Sequence, residues 1–405
     1  MSSTGSRLDG RTGRYPRGTI ILLGAAAAVV VGAGIHGIRD ILAPVLLTLV
    51  LVICASPVRG RLERLGVPSG LATGSVILVV FALLAVFTYT LIIAFAQFVA
   101  MLPTYASQFQ EIGAQIAAAL TRLGIGQAQI QSFVGGLDPG SIAAAITGAL
   151  GSVASITGAL VIVLTMMILM AADAAYARTI LRQLSERRPD LVRALRDYAT
   201  NVRRYMVVTT VLGVAQGALN ATALYIMGVP AALLWGLLAF LCSFIPNIGY
   251  FFAIIPPIVF GFLVGGWPTV VWVVVVYGVI NGVVQSIVQP RVVGQAVSLS
   301  QTVTFFSVLL WAALTGPVGA ILAIPLTLLV KALLVDANPE AHWLRPVIGP
   351  TAETREILRS EEAAARTART SRRAEARRTG TARRTGTARR GTSPRRGPTP
   401  SAPTA

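Results

Sequence analysis

From Tyr205 to Pro290 the chain reads YMVVTTVLGVAQGALNATALYIMGVPAALLWGLLAFLCSFIPNIGYFFAIIPPIVFGFLVGGWPTVVWVVVVYGVINGVVQSIVQP, without a single Asp, Glu, Lys or Arg. Arg204 precedes this run, Arg291 follows it, and the next charge is Lys331. Roughly 20 consecutive apolar residues cross a bilayer core, so the run is long enough to cross several times. It has no place in a water-facing fold. The 405 residues as a whole are 54% hydrophobic and only 12% charged, against about 25% charged in soluble domains. The expected fold is all-α, a polytopic integral membrane protein with about 8 spans, some of them Pro-broken or hairpin helices in the C-terminal half. Whole-chain disorder, a soluble enzyme and a secreted disulfide scaffold are excluded.

The net charge of +18 is concentrated between apolar runs. Residues 1–19 contribute +3, the loop Arg59–Arg64 contributes +2, residues 173–204 contribute +4 and residues 351–405 contribute +9; the rest cancels. Basic loops stay in the cytoplasm, and this sets a topology. Thr19–Ile38 reads as an uncleaved signal-anchor span, since a signal peptide has a shorter apolar region and a cleavage site. Ile41–Val58 returns, Leu71–Phe98 crosses outward, and Gly151–Ala172 crosses back to deliver the Arg-rich segment. Met206–Gly228 crosses outward again. Ala231–Gly265, broken at Pro246 and at Pro256-Pro257, reads either as two short spans or as a re-entrant hairpin. Trp267–Gln289 then runs inward. Gln301–Val335, with Gly316-Pro317-Val318-Gly319 near its middle, reads as a hairpin, because a single span would leave the Arg-rich tail outside.

The resulting organisation is a basic N-terminus at 1–18, three spans within 19–98, external amphipathic helices at 99–150 and a span at 151–172. A basic helical arm follows at 173–205, then a core with broken helices at 206–335 and a disordered Arg-rich tail at 336–405. Both termini are expected in the cytoplasm. Phe109, Ile112, Ile116 and Leu120 mark one amphipathic helix, and Leu191, Leu195, Tyr198, Val202 and Tyr205 another. The second carries Arg193, Arg196, Arg203 and Arg204 between its apolar positions, which suits anionic headgroups or packing against a neighbouring subunit. In the tail, Ala376–Thr381 recurs at Ala382–Thr387. With almost no apolar residues the tail cannot bury a core. Its tether to a membrane protein favours anionic lipid over nucleic acid as its partner.

Enzymatic signatures are missing. Gly32-Ala-Gly34-Ile-His-Gly37 matches GxGxxG but lies inside the first span, with no strand before it. Lys331, the single lysine, follows Val330, so there is no Walker phosphate loop. His36 and His342 form no HExxH, and Cys54 and Cys242 read as small buried hydrophobes. No cofactor or metal is expected.

What remains is polar, uncharged and within the membrane. Asn281, Gln285 and Gln289 share one helix face, Gln216 and Asn220 share another, and Asn247 sits in the broken region. Amides in hydrocarbon need partners; they serve as interhelical glue or line a solute path, and a row of three favours the path. Gly70/Gly74, Gly213/Gly217, Gly261/Gly265 and Gly278/Gly282 are GxxxG pairs that permit close packing. Pro246, Pro256, Pro257, Pro290, Pro317 and Pro325 expose backbone polar groups, tolerated only where protein or water meets them.

Ile245-Pro246-Asn247-Ile248-Gly249 resembles the I-P-x-I-G element of the autoinducer-2 exporter family of bacterial membrane proteins. Gly228-Val229-Pro230 and the apolar run to Gly236 resemble the segment before it. Pro290-Arg291-Val292-Val293-Gly294, Leu299-Ser300 and Gly316–Leu326 resemble the family's C-terminal signature, and Asp173, closing the fourth span, also fits. Thr209-Thr210 departs from the pattern, which has a Gly-polar pair there. The resemblance covers residues 20–345 and implies an oligomeric multi-span permease that exports a small solute. Some members are associated with autoinducer-2 export and others with sodium/proton antiport. Pro246, Gly249, Pro256, Pro290, Arg291, Gly294, Gly316, Pro317, Gly319 and Pro325 are the candidate gating or broken-helix positions. Proton coupling needs an intramembrane ionisable group; no carboxylate lies between Arg204 and Asp336, which leaves Asp173 as the coupling candidate. A neutral, amide-lined path suits a small polyhydroxylated solute. The competing expectations are an antiporter and a non-transporting scaffold that recruits partners through its arm and tail.

Overall fold

A computed structural model describes residues 17–123, 126, 129, 132, 139–150, 153–246, 248–284, 299–349 and 355–371. Asn247, Gln285, Gln289, Pro290, Arg291, Gly294 and the tail repeats lie outside the described residues. The chain forms two units, Met1–Arg345 and Pro346–Ala405. Among the described residues no strand occurs, and 6 helices are long and apolar enough to cross a membrane. Two shorter apolar helices, Leu22–Gly37 and Ala232–Cys242, accompany them. The protein is an all-α polytopic membrane protein.

In the first unit α1 spans Arg17–Gly37, α2 Arg39–Arg64 and α3 Ser69–Met101. Asp40 in the first turn of α2 and Arg61 and Arg64 in its last turn oppose the helix dipole at each end. Next come α4 at Ala106–Arg122 and α5 at Pro139–Leu150. Phe109 is buried on α4, whereas Glu111 is exposed, as its 3.6-residue pattern requires. The arm is no separate element. Val153–Arg187 is one helix, α6, and Pro189–Ile226 is one helix, α7, so the basic segment consists of the extended ends of two spans. Pro189 suits the first turn of α7, where its missing N–H costs nothing.

The C-terminal half consists of hairpins. Helix α8, Ala232–Cys242, has 11 residues and covers only about 16 Å at 1.5 Å per residue, too short for a bilayer core. Helix α9 follows at Gly249–Gly282, antiparallel contacts bringing Gly249 back against Cys242. Residues 231–265 thus form a helix pair, the short α8 followed by the first arm of α9. Within α9 the direction reverses again at Gly266 (φ 62, ψ −157), just before Trp267-Pro268. Helix α10, Gln301–Ile321, reverses at Gly316 (φ 72, ψ −155), just before Pro317. The two turns share one backbone conformation, a region open essentially to glycine alone. After Gly316 the chain continues into α11, Ala323–Lys331, and Trp311 Nε1 donates to Thr327 Oγ1 at 3.0 Å across the hairpin.

An aromatic cluster packs α3, α4, α8 and the first arm of α9 together. Phe98 meets Trp235 and Phe260 edge-on, with ring centroids 5.0 Å apart in each case. Trp235 Nε1 donates to the carbonyl of Pro230 at 2.9 Å. The buried indole N–H is thereby satisfied, as an apolar setting demands.

Candidate functional site

Helix α7 is built inside out. Tyr198, Val202, Tyr205, Thr209, Gly213, Gln216, Asn220 and Leu224 recur at the helical period and are all buried. Val207, Val211, Val214 and Leu219 on the other side are exposed. Water would favour the reverse; lipid favours this arrangement, with polar groups turned toward the bundle. Gln216 is 6% exposed and Asn220 1%.

The buried face of α7 meets the second arm of α9, where Gln216 Nε2 donates to Asn281 Oδ1 at 3.2 Å. The two helices run antiparallel. A Cβ on Gly261 would lie 3.9 Å from Val229 and 3.4 Å from Val273, so the late part of α7 faces the early part of that arm. One turn beyond Gln216 therefore comes Asn220, at the level of Tyr277, one turn before Asn281. Both ends of the Asn220 amide and the Tyr277 hydroxyl are buried without a hydrogen-bond partner, as is the Thr209 hydroxyl. Each such group costs about 1–3 kcal/mol. The layer is thus a polar region in which one amide pair is bonded and neighbouring buried polar atoms have no partner.

The link between α8 and α9 closes on this layer. A Cβ on Gly249 would collide with the carbonyl oxygen of Cys242, so only glycine permits the turn back. Tyr205 of α7 donates its hydroxyl to the carbonyl of Phe244 at 3.3 Å. A Cβ on Gly278 would sit 3.8 Å from the Tyr250 hydroxyl. Ile245 and Ile248 pack against Val308, Ala320 and Ala323 of the second hairpin. The tip is thus held between α7, the second arm of α9 and the α10–α11 hairpin.

Close packing fixes α8 against α7. A Cβ on Gly217 would stand 2.6 Å from the Gly236 carbonyl oxygen, and one on Gly236 2.6 Å from the Ala221 Cβ. Gly213 lies equally tightly against Ser243. Of the expected GxxxG pairs, Gly213/Gly217 packs helix on helix and Gly261/Gly265 packs the two arms of α9. Gly70, Gly74 and Gly282 meet nothing within 4 Å, so close approach at those positions is not found within the chain. A cavity of about 290 Å³ beside the Gly217–Gly236 contact is walled by apolar groups from Phe87 to Phe240 and includes none of the amides.

The structure therefore joins Gln216, Asn220 and Asn281 in one layer and sets Pro246 and Gly249 in the tip beside it. Gly316, Pro317, Gly319 and Pro325 form the hairpin that packs on the tip; a Cβ on Gly319 would run into the Trp311 carbonyl. Pro256 lies inside the first arm of α9. Asp173 sits exposed on α6. Asp336, the next carboxylate after the uncharged core, pairs with Lys331 at 2.9 Å and Arg345 at 3.4 Å. Sequence reasoning missed Tyr205, Thr209 and Tyr277. Their signal was available: Tyr205 and Thr209 share the helix face of Gln216, and Tyr277 lies one turn from Asn281.

Comparison with known proteins accords with this architecture. The chain is 30% identical over 337 residues to "Putative transport protein YhhT" of Escherichia coli, covering 82% of this chain and 95% of that protein. It is 27% identical over 315 residues to "AI-2 transport protein TqsA" of the same organism, covering 78% and 91%. A "Putative transport protein" of Haemophilus influenzae is 28% identical over 328 residues, covering 80% and 94%. The profile of the AI-2E family transporter matches residues 20–338, and the chain belongs to that family.

Proposed function

We propose that this protein is a permease that exports a small, neutral, polar solute along the layer between α7, the second arm of α9 and the re-entrant tip. The observation that carries this reading is Asn220, 1% exposed, with both amide ends unpaired inside a membrane bundle. Unpaired polar atoms in hydrocarbon are retained where they serve a transported group. Among the described residues the buried polar side chains are hydroxyls and amides, with no ionisable carboxylate, which supports a neutral solute over sodium/proton exchange through Asp173. The similarity to the AI-2 transport protein TqsA makes AI-2 the first solute to test.

The arm's apolar face, Val192, Tyr198, Val202 and Tyr205, is buried, whereas Arg193, Arg196 and Arg204 are on exposed positions. Those arginines and the tail face anionic headgroups on the cytoplasmic side, with both termini there and the chain working as a homo-oligomer. The test is solute efflux into everted vesicles containing wild-type protein or Asn220→Leu. Wild-type transport that the variant lacks, with the variant folded, supports the path. Equal efflux from both overturns it.

A further inference from the structure

Within α2, Pro57 has no N–H to offer the carbonyl of Ile53, four residues earlier, which a helix would otherwise satisfy. Arg203 of α7 takes that place. Its Nε donates to the Ile53 carbonyl at 3.2 Å, and its Nη2 donates to Ser56 Oγ at 2.9 Å. Ser56 Oγ in turn donates to the same carbonyl at 2.9 Å. A guanidinium on a different helix thus joins the Ser56 hydroxyl in closing the notch that one proline opens.

The arrangement recurs near the start of α2. The reversal at Gly316 leaves the carbonyl of Ala313 without its helical donor, and His36 Nδ1 lies 3.0 Å from that oxygen. A carbonyl only accepts, so Nδ1 carries the proton, and Nε2 accepts from Arg39 Nη1 at 3.3 Å. Two carbonyls left open by breaks in the helical ladder are therefore answered by side chains of neighbouring helices. A charged donor gives a strong bond, yet Arg203 is only half-buried, so water can replace it when the helices part. The Gly217–Gly236 backbone contact has no such substitute.

We propose that Arg203 and Pro57 form a gate at the end of the bundle that carries the Arg-rich arm. Pro57 supplies the hinge in α2, and Arg203, a positioning residue, clasps that hinge to α7. Because α7 continues about 20 Å from Arg203 to Gln216 at 1.5 Å per residue, the clasp sets where the amide layer stands relative to α2. The gating role rests on the transport reading above; the clasp itself does not.

Cys54, next to Ile53, is half-buried, and the other cysteine, Cys242, is buried, so Cys54 is a native reporter. The experiment uses full-length protein in lipid nanodiscs and in everted vesicles, as Arg203→Met, Pro57→Ala and the double variant, with Arg203→Lys as a milder change should Arg203→Met misfold. Three readouts are taken: unfolding temperature, labelling of Cys54 by a membrane-impermeant maleimide, and efflux. Arg203→Met is expected to lower the unfolding temperature and to speed Cys54 labelling about fivefold or more, corresponding to roughly 1 kcal/mol. Pro57→Ala returns an N–H to the Ile53 carbonyl, so the double variant regains the unfolding temperature and slow labelling. Without its hinge it does not regain efflux. Recovery of efflux together with stability would reduce Arg203 to a structural patch and overturn the gate. Failure of Pro57→Ala to restore stability would overturn the clasp. If wild-type protein shows no efflux, the transport reading and the gate fall, while unfolding and labelling still decide the clasp.

Discussion

Gln216 Nε2 and Asn281 Oδ1 meet at 3.2 Å between two antiparallel helices, one turn from an amide and a phenol that have no partner. A bond that served only as glue would leave no open polar groups beside it. Single Gln216→Leu and Asn281→Leu changes each strand one amide; the double change removes both. Interhelical polar contacts in membranes contribute about 0.6 kcal/mol on average and up to about 1.7. Each single variant should lose stability on that scale, and the double should recover most of it in a thermal-unfolding cycle. Efflux should stay lost in all three. A double variant that recovers transport as well as stability would make the pair structural.

Asn220→Leu should move stability and transport in opposite directions. It removes two buried, unpaired polar atoms, each of which costs about 1–3 kcal/mol, at little change in side-chain size. The unfolding temperature in nanodiscs should rise, while efflux falls to the level of empty vesicles. Such a trade is expected where an open polar group is retained for function. A destabilised variant would mean that the amide already has a partner.

Gly217→Leu should be among the most damaging single changes in the C-terminal half. Its side chain would have to grow through the Gly236 carbonyl, 2.6 Å from the first added carbon, and overpacking of this kind costs about 1–3 kcal/mol or more. Gly74→Leu on α3, which meets nothing within 4 Å, should be close to neutral. Comparable losses of folded yield in both would show that the Gly74 face is also covered in the assembled protein.

The membrane class and the two broken regions were legible in the sequence because each rests on composition or on Gly and Pro. The hairpin at Gly316 was readable from Gly-Pro flanked by apolar runs. Its twin at Gly266 falls where the sequence reading ends Ala231–Gly265 and begins Trp267–Gln289, but that the two turns share one backbone conformation was not readable. The amides were found by type and spacing, yet which amide bonds to which depends on helix register, as the Gln216–Asn281 pairing shows. Arg203 read as one arginine among several on a polar face. Only the packed structure brings it to Ile53, because a free carbonyl leaves no mark in the sequence except Pro57 four residues on.

Gly266→Ala and Gly316→Ala should each destabilise the chain by about 1–3 kcal/mol, since both glycines hold a conformation that other residues rarely adopt. A Cβ has open space at Gly316 and only Pro268 within 4 Å at Gly266, so the loss would come from backbone strain and not from a clash. The two variants should therefore lose similar amounts of unfolding free energy. A loss at only one would show that the two turns are not equivalent.

Deleting residues 346–405 distinguishes a transporter from a scaffold. These residues form a unit of their own, and among the described residues the buried hydrophobic side chains all belong to the first unit. The shortened protein should unfold at the temperature of the full chain and sustain the same efflux. Its residual attraction to anionic vesicles should fall, because residues 351–405 hold nine units of the net positive charge and each basic residue near an anionic surface contributes about 1 kcal/mol. Co-sedimentation of the full and shortened proteins in nanodiscs, with vesicles of rising anionic content and salt, would measure that change. Efflux lost on deletion but retained in Asn220→Leu would invert the assignment, placing function in the tail and leaving the amide layer as glue.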